Sequence, residues 1–213
     1  MQPDTLQPTD FLLLQIDWPE GSPADAALTE RATGAVQAAL APSPLGLRVQ
    51  RSAWSPALHS AYLYCALAQR TALAATELAP LQAALARALP GARQLLLSRL
   101  ELVFERPGHS SGALPAAHYV VEMDPEDGWM PEIARWYDGE HMPGLAAVPG
   151  CIHARRLLNH DHGPLSLACY DLVTEEALGS PAWLAVRATA WSDIARPHFT
   201  NTRRTMFQAL TTP

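Results

Sequence analysis

Alternating apolar and polar positions divide the chain into strand-like and helix-like segments. In the stretch AHYVVEMD, the even-numbered positions from His118 to Glu122 fall on one face and the odd-numbered ones on the other, which predicts a strand. Runs rich in Ala and Leu between Pro and Gly predict four helices: PADAALTERATGAVQAAL, TALAATELAPLQAALARAL, WMPEIARWYDGEHM and SPAWLAVRATAWSDIA. Pro80 is expected to interrupt the second helix, and Ser180 before Pro181 is typical of a helix N-cap.

The order of these predicted elements occurs twice. An apolar strand ends at IDWPEG in the first half and at MDPEDG in the second, and a helix-like run follows each. A second matching pair follows, SPLGLRVQR in the first half and AVPGCIHAR in the second. Each contains Pro and then Gly, followed by a predicted strand with an Arg near its end. The strand-like runs SAYLYCALA and RQLLLSRLELVFE have counterparts in PLSLACYDL and TNTRRTMFQAL. Each half therefore predicts the order β-α-β-β-α-β.

This order is the split β-α-β motif of the ferredoxin-like fold, in the α+β class. A single unit has helices on one face of its sheet, so the other face must be covered. We expect two ferredoxin-like domains packed sheet to sheet, as an intrachain α/β-barrel pseudo-dimer. The predicted domains are 1–107 and 117–213, joined by a linker at 108–116 that is rich in Gly, Ser and Pro.

Composition narrows the classes of function. Of the 213 residues, 48% are hydrophobic, which is enough for a core. The net charge of -6 and the lack of a basic stripe argue against nucleic-acid binding. All 15 basic residues are Arg, so no Lys is available for Schiff-base chemistry. The three scattered cysteines are expected to be buried hydrophobes.

The sequence also predicts a location. The longest apolar runs are too short to span a membrane, and the acidic N-terminal segment does not resemble a signal peptide. We therefore expect a cytoplasmic protein without membrane contact.

Three stretches of the second half carry a family resemblance: EIARWYDGEHMPGLAAVPGCIHARRLL, PLSLACYDL and SPAWLAVRATAWSDIARPHFTNTRRTMF. Together they resemble the dimeric α/β-barrel superfamily and, within it, the largely uncharacterised EthD-like group. The matching positions are Trp136, Tyr137, Asp138, His141, Pro143, Val148, Pro149, Gly150, Arg155, Arg156 and Tyr170. The resemblance covers roughly residues 117 to 210. The first half shares only the strand and turn pattern, so it reads as a degenerate copy in a tandem duplication.

The resemblance leaves the reaction open, because the superfamily includes cofactor-free monooxygenases, cyclases, isomerases, haem-binding enzymes and members without known activity. We expect a cofactor-free enzyme of isomerase, cyclase or monooxygenase type, with a small apolar organic substrate bound in the second domain. One alternative is a non-catalytic small-molecule binding or stress-associated module. Another alternative is that the uncovered faces of the sheets are used for self-assembly, and that two chains then form a homodimer.

The predicted site lies at the end of the third helix. Ile133, Tyr137 and His141 are spaced to share one face of an α-helix. We expect His141 to act as acid or base, with Tyr137 and Arg156 polarising the substrate. The expected substrate-binding residues are Trp136, Glu140, His118 and Tyr170. The alternative is that these residues have structural roles only. Trp136 and Tyr137 would then be core aromatics, His141 would hydrogen-bond the turn, and Arg156 would form a surface ion pair.

Two other motifs predict no chemistry. NHDHG, residues 159–163, is expected to be a hairpin turn whose side chains point into water, without a third metal ligand. GHSSG lies in the linker, without the strand-turn-helix context of a nucleophile motif. His141 and His198 could each ligate a haem, but no pattern marks them, so we expect no metal and no cofactor.

Overall fold

The computed structural model describes residues 5–210 of the chain. Their contacts divide them into two compact units. The first comprises 5–101 with the short segments 159–162 and 208–210, and the second comprises 102–158 and 163–207. The division of the chain at a linker of residues 108–116 stays a prediction.

The first unit has the predicted β-α-β-β-α-β order. Its elements are β1 (Gln7–Asp17), α1 (Ala26–Leu40), β2 (Arg48–Ser55), β3 (Ser60–Leu73), α2 (Ala79–Ala88) and β4 (Gln94–Pro107), whose last residues belong to the second unit. The antiparallel strand order is β4-β1-β3-β2. Helix α1 begins at the N-cap Asp25, and buries Ala32, Val36 and Leu40 in the core of the unit.

The second predicted helix begins later than its sequence indicates. Residues 71–73 extend strand β3, a short 3-10 turn (Ala75–Leu78) follows, and α2 starts only at Ala79. Pro80 therefore lies in the first turn of α2, where no helical hydrogen bond needs its missing N–H. The prediction that Pro80 interrupts a helix is wrong, because this proline lies at a helix start.

The second unit repeats the same order with a more broken set of helices. Its elements are β5 (Ala117–Pro125), α3 (Met130–Trp136), a π-helical turn (Tyr137–His141), α4 (Met142–Ala146), β6 (Cys151–Asn159), β7 (Ser166–Leu172), α5 (Pro181–Arg187), α6 (Ala190–Ala195) and β8 (Phe199–Ala209). Strand β7 pairs antiparallel with both β5 and β6. Ser180 caps α5 as predicted. The predicted single helix is nevertheless two, because Thr189 starts α6 as a new N-cap.

The cysteines are buried, as the sequence predicts, and the helices are as short as its apolar runs indicate. Cys65, Cys151 and Cys169 are free and buried, and burial raises the pKa of Cys65 and of Cys151 to about 12. The thiols of Cys65 and Cys151 therefore stay protonated at neutral pH, and the thiolate is the reactive form of cysteine. Within residues 5–210, none of the helices is long and apolar enough to cross a membrane.

The hairpin 159–163 is not the solvated turn that its sequence predicts. Asn159 accepts hydrogen bonds from the backbone N–H groups of Asp161 and His162. Asp161 points inward and pairs with the buried Arg99, at 2.7 Å between Oδ1 and Nη2. The expectation that these side chains point into water is wrong for Asp161, because a buried guanidinium requires a carboxylate partner.

The turn that carries Gly108 and Ser110 packs tightly on strand β6. The N–H groups of these two residues donate to the carbonyls of Ile152 and Cys151, and Ser110 Oγ accepts from the N–H of Gly150. A Cβ atom at Gly108 would lie 2.2 Å from the carbonyl oxygen of Cys151. Only glycine therefore fits this position without moving backbone.

Gly108→Ala is expected to lower the free energy of unfolding by about 2 kcal/mol, because the added methyl group clashes with backbone that cannot yield. Gly34→Ala is the control. Gly34 lies exposed within α1 with no atom within 4 Å of a Cβ, so alanine should stabilise by about 0.5–1 kcal/mol. Urea unfolding of both variants measures the two effects. Equal stability of Gly108→Ala and wild type would contradict the tight packing.

Candidate functional site

The site is built around an irregular helix end. Helix α3 passes into a π-helical turn at Tyr137–His141, in which hydrogen bonds join residues five apart. A residue therefore lies nearly above the one five positions earlier. The His141 ring stacks on Trp136, with 4.2 Å between centroids and 24° between planes. It also meets the edge of Tyr137, at a centroid distance of 5.7 Å.

This geometry corrects the predicted α-helical face. The spacing of Ile133, Tyr137 and His141 supposes α-helical geometry up to His141, but the helix changes at Tyr137. Trp136 is not on that predicted face, yet it is the stacking partner of His141. Such π turns occur often at functional sites.

A small, partly open cavity lies beside this turn. Its free volume is about 30 Å³, which is room for two or three water molecules. Its walls are mainly aromatic, and three arginines also line it. The aromatic and imidazole side chains are Tyr119, Trp136, Tyr137, His141, Tyr170, Trp183 and Phe199, and the arginines are Arg187, Arg196 and Arg204.

His141 is a buried, uncharged base in this cavity. Its side chain is only 8% exposed, and its Nδ1 has no hydrogen-bond partner among residues 5–210. Burial, and then the charges of Arg196 and Arg187, lower the pKa of His141 to about 3. The imidazole is therefore neutral at physiological pH and has a free nitrogen for a ligand or a proton.

The lowered pKa predicts a loss of stability in acid. The unfolded chain protonates His141 below about pH 6.5, whereas the folded protein resists protonation until about pH 3. Stability therefore falls as the pH drops through this window, by about 2 kcal/mol between pH 7 and pH 5. In His141→Leu, the free energy of unfolding should fall by about 2 kcal/mol less than in wild type between pH 7 and pH 5. Urea unfolding at the two pH values measures this difference. The same fall in wild type and variant would contradict the assignment.

The other cavity walls hold polar groups that keep their protons. Burial raises the pKa of Tyr137, Tyr170 and Tyr119, so all three phenols stay neutral. The Tyr170 hydroxyl donates to Met142 Sδ at 3.0 Å. The buried indole N–H groups of Trp136 and Trp183 have no hydrogen-bond partner in the described part of the chain. The cavity wall thus contains donors that the fold itself does not use.

The three arginines are site residues that sequence reasoning missed. The salt bridges among residues 5–210 include none by Arg187, Arg196 or Arg204. Arg196 Nη1 donates to the backbone oxygen of Arg187, at 3.4 Å. One signal was present in the sequence: residues 195–207, ARPHFTNTRRTMF, contain three arginines and no acid. The pattern does not show which arginine turns toward a cavity.

Arg156, predicted as a polarising group, does not line the cavity. It forms a two-pronged ion pair with Asp138, at 3.1 Å and 3.0 Å, and is itself buried. Its guanidinium carbon lies 5.8 Å from the centroid of the Tyr137 ring. Arg156 is therefore next to Tyr137, which lines the cavity, and is not itself part of the lining.

Two predicted substrate-binding residues also lie outside the cavity lining. Glu140 accepts a hydrogen bond from the Thr189 hydroxyl at 2.6 Å and so ties the π turn to the start of α6. His118 pairs with the buried Asp171 at 2.8 Å. Trp136 and Tyr170 do line the cavity, together with Tyr137 and His141.

Residues 5–210 contain no group of three or more His, Cys, Asp and Glu side chains that could hold a metal ion. His198 stacks on Trp129 and pairs with Glu126, outside the cavity beside His141.

No family model matches the sequence, and no curated protein is significantly similar to it. Solved structures do resemble it. An anthrone oxidase-like protein has a TM-score of 0.62 at 14% identity, over 100% of this chain and 94% of its own. A mutant chlorite dismutase from Candidatus Nitrospira defluvii has 0.58 at 8% identity, over 97% and 93%. A ferredoxin-fold protein from Listeria monocytogenes, related to antibiotic biosynthesis monooxygenases, has 0.50 at 8% identity, over 97% and 98%.

These likenesses define the class of fold. The chain is an α+β protein whose structural neighbours include ferredoxin-fold and chlorite dismutase proteins. At such low identity the comparisons concern the fold alone, and the function must be argued from the site.

Proposed function

We propose that the chain is a cofactor-free enzyme of oxidase or monooxygenase type, acting on a small aromatic substrate at the cavity of the second unit. The observation that carries the proposal is His141, a buried neutral imidazole with an unpartnered nitrogen in an aromatic cavity. The names of two structural neighbours, anthrone oxidase-like and related to antibiotic biosynthesis monooxygenases, favour oxidation over isomerisation or cyclisation.

In the proposed reaction, His141 removes a proton from an acidic C–H or O–H of the substrate. The electron pair stays on the substrate as a delocalised anion. Dioxygen adds to its carbon to form a C–O bond, and the resulting peroxide anion takes the proton back from His141. Loss of water then breaks the O–O bond together with the remaining C–H bond and leaves a ketone. The new imidazolium and the new anion form an ion pair within the cavity, and this offsets the burial that otherwise disfavours a charged His141.

The other predicted residues have supporting roles in this proposal. Tyr137 donates its phenolic proton to a substrate oxygen, and the charge of Arg156 behind the ring strengthens that donor. Trp136 holds the His141 ring by stacking, and Tyr170 forms a wall. Glu140 and His118 act as positioning residues through Thr189 and Asp171.

Anthrone is the probe for this reaction, because its C–H acidity and flat aromatic system match the proposal. Oxidation by dioxygen gives anthraquinone and water in equal amounts and consumes an equal amount of dioxygen. Chelator-treated protein should accelerate oxygen uptake well above the spontaneous rate, with urea-unfolded protein as the control. A rate equal to that control would contradict the proposed activity. Since the free volume is small, only the reacting edge of the molecule enters without side-chain movement.

A non-catalytic or stress-associated binding module is the second candidate. The observation that favours it is the His141 pKa of about 3, because an imidazole this acidic is a weak base. Anthrone that quenches the fluorescence of Trp136 and Trp183 without faster oxygen uptake would assign binding alone. The two measurements on one sample therefore separate the two functions.

We also propose that the two units arose by tandem duplication of an EthD-like domain. The matching β-α-β-β-α-β orders of the two units support the duplication. The first unit has no counterpart of the Trp-Tyr-x-x-x-His helix end, so each chain is expected to have one site. A cytoplasmic homodimer remains the expected form, and light scattering would measure its mass.

A further inference from the structure

We infer that Arg187, Arg196 and Arg204 form an anion subsite, through which the cavity selects aromatic molecules that carry an anionic oxygen, as a carboxylate or a phenolate. The inference deepens the proposed function, because it names the substrate class of the same cavity. It concerns binding, so it does not depend on the oxidation step.

The three cations differ in their surroundings from seven of the other twelve arginines of the protein. Seven other arginines have a carboxylate oxygen within 4.0 Å: Arg70, Arg93, Arg99, Arg135, Arg155, Arg156 and Arg203. The three that line the cavity have none among residues 5–210. Among the described residues, the charges of the three cavity arginines thus lack the carboxylate partner that these seven arginines have.

The charges of the three cavity arginines disfavour one another. Burial, and then the charges of Arg187 and Arg204, lower the pKa of Arg196, and Asp193 opposes this only in part. The same charges of Arg187 and Arg196 act against protonation of His141. A bound anion would relieve this repulsion and receive charge-assisted hydrogen bonds from several guanidinium groups. The electrostatics of the cavity therefore favour an anion over a neutral ligand.

The rest of the cavity wall selects an aromatic body. Trp183 meets the rings of Tyr170 and Tyr119 edge to face, at centroid distances of 5.2 Å and 6.3 Å. These buried rings give an apolar, aromatic surface beside the arginines. The free volume of about 30 Å³ suits one charged group of the ligand. The ring of the ligand then extends from this group toward the opening of the cavity.

Titration with four probes tests the inference: benzoate, acetate, 4-nitrophenolate above its own pKa, and uncharged benzamide. Calorimetry and the fluorescence of Trp136 and Trp183 both report binding. Wild-type protein should bind at least one of the two aromatic anions about tenfold or more tightly than benzamide. Tighter binding of benzoate assigns a carboxylate, and tighter binding of 4-nitrophenolate assigns a phenolate.

Arg196→Gln should weaken binding of the preferred anion by about tenfold or more, since one charge-assisted bond is lost. Arg196→Lys should restore part of that loss. Arg135→Gln is the matched control, because Arg135 is exposed, belongs to the same unit and does not line the cavity. Thermal unfolding confirms that each variant is folded before it is titrated.

Three results would overturn the inference: benzamide binding as tightly as both aromatic anions, equal losses in Arg196→Gln and Arg135→Gln, or acetate binding as tightly as benzoate. The proposed oxidation fails separately. Anion-selective binding without accelerated oxygen uptake would contradict the reaction and leave the subsite intact. Accelerated uptake without preference for an anion would contradict the subsite and leave the reaction intact.

Discussion

Replacement of His141 by Gln is expected to slow the oxidation of anthrone by about 10²- to 10⁴-fold, the usual contribution of a general acid or base. Gln keeps a polar group at the position but cannot accept the proton. Binding of anthrone should change little, because the aromatic walls remain. The loss should therefore fall on kcat, and oxygen uptake at saturating anthrone measures it.

The pH profile of wild type provides an independent check on this base. Because the pKa of His141 is about 3 in the free protein, its imidazole is already unprotonated throughout the range from pH 5 to pH 8. Titration of His141 should thus leave kcat/KM flat in that range. An inflection near pH 6.5 that disappears in His141→Gln would contradict the lowered pKa.

His153→Gln is the matched control for His141→Gln. His153 lies on β6 of the same unit, pairs with Glu105 at 3.1 Å and does not line the cavity. Its replacement should leave turnover within about threefold of wild type. Equal losses in the two variants would point to general destabilisation and contradict the role of His141.

The fold was largely predictable because it depends on local patterns. Alternation marks the strands, and Pro and Gly mark their ends, so the β-α-β-β-α-β order appears in both halves before any contact is known. The errors arose where two local signals compete. A proline such as Pro80 is compatible with a helix break and with a helix start. The conformation of the residues before it determines which of the two occurs. Thr189 sits inside an Ala-rich run yet caps a new helix.

The site was less predictable because partners distant in sequence orient its side chains. The helix end was found, but its π turn was not, since residue types at 137–141 do not distinguish i+4 from i+5 spacing. Arg156 is turned toward Asp138, and His118 toward Asp171, which is 53 residues away. The arginines of the cavity come from α5, β8 and the residue after α6. Their convergence is a property of the fold.

Asp161→Ala is expected to lower the free energy of unfolding by about 3–5 kcal/mol, because it leaves a buried charge without its partner. Arg99 is 4% exposed. Its Nε and Nη2 both donate to the Asp161 carboxylate, and Nη1 donates to the carbonyls of Thr5 and Leu73. Every nitrogen of the guanidinium thus has an acceptor, and the carboxylate supplies the only negative charge among them.

The pH dependence of this pair has a defined sign. Burial alone would raise the pKa of Asp161, but the hydrogen bonds and charge of Arg99 outweigh it and lower that pKa below 3.8. The stabilisation by the Arg99–Asp161 pair is therefore complete above about pH 3.8. It is lost as the pH falls through the pKa that Asp161 has in the folded protein. Glu30→Gln, an exposed change on α1, is the control and should alter stability by less than about 0.5 kcal/mol.

A double variant separates the cost of an orphaned charge from the value of the pair. Arg99→Met with Asp161→Leu removes both charges and keeps apolar volume, so it should recover much of the stability that Asp161→Ala loses. Urea unfolding of the single and double variants measures the difference. If the double variant is as unstable as Asp161→Ala, the pair itself stabilises the fold, and the argument from an unpaired buried charge is wrong. If it recovers, the carboxylate of the hairpin is needed chiefly because Arg99 is buried.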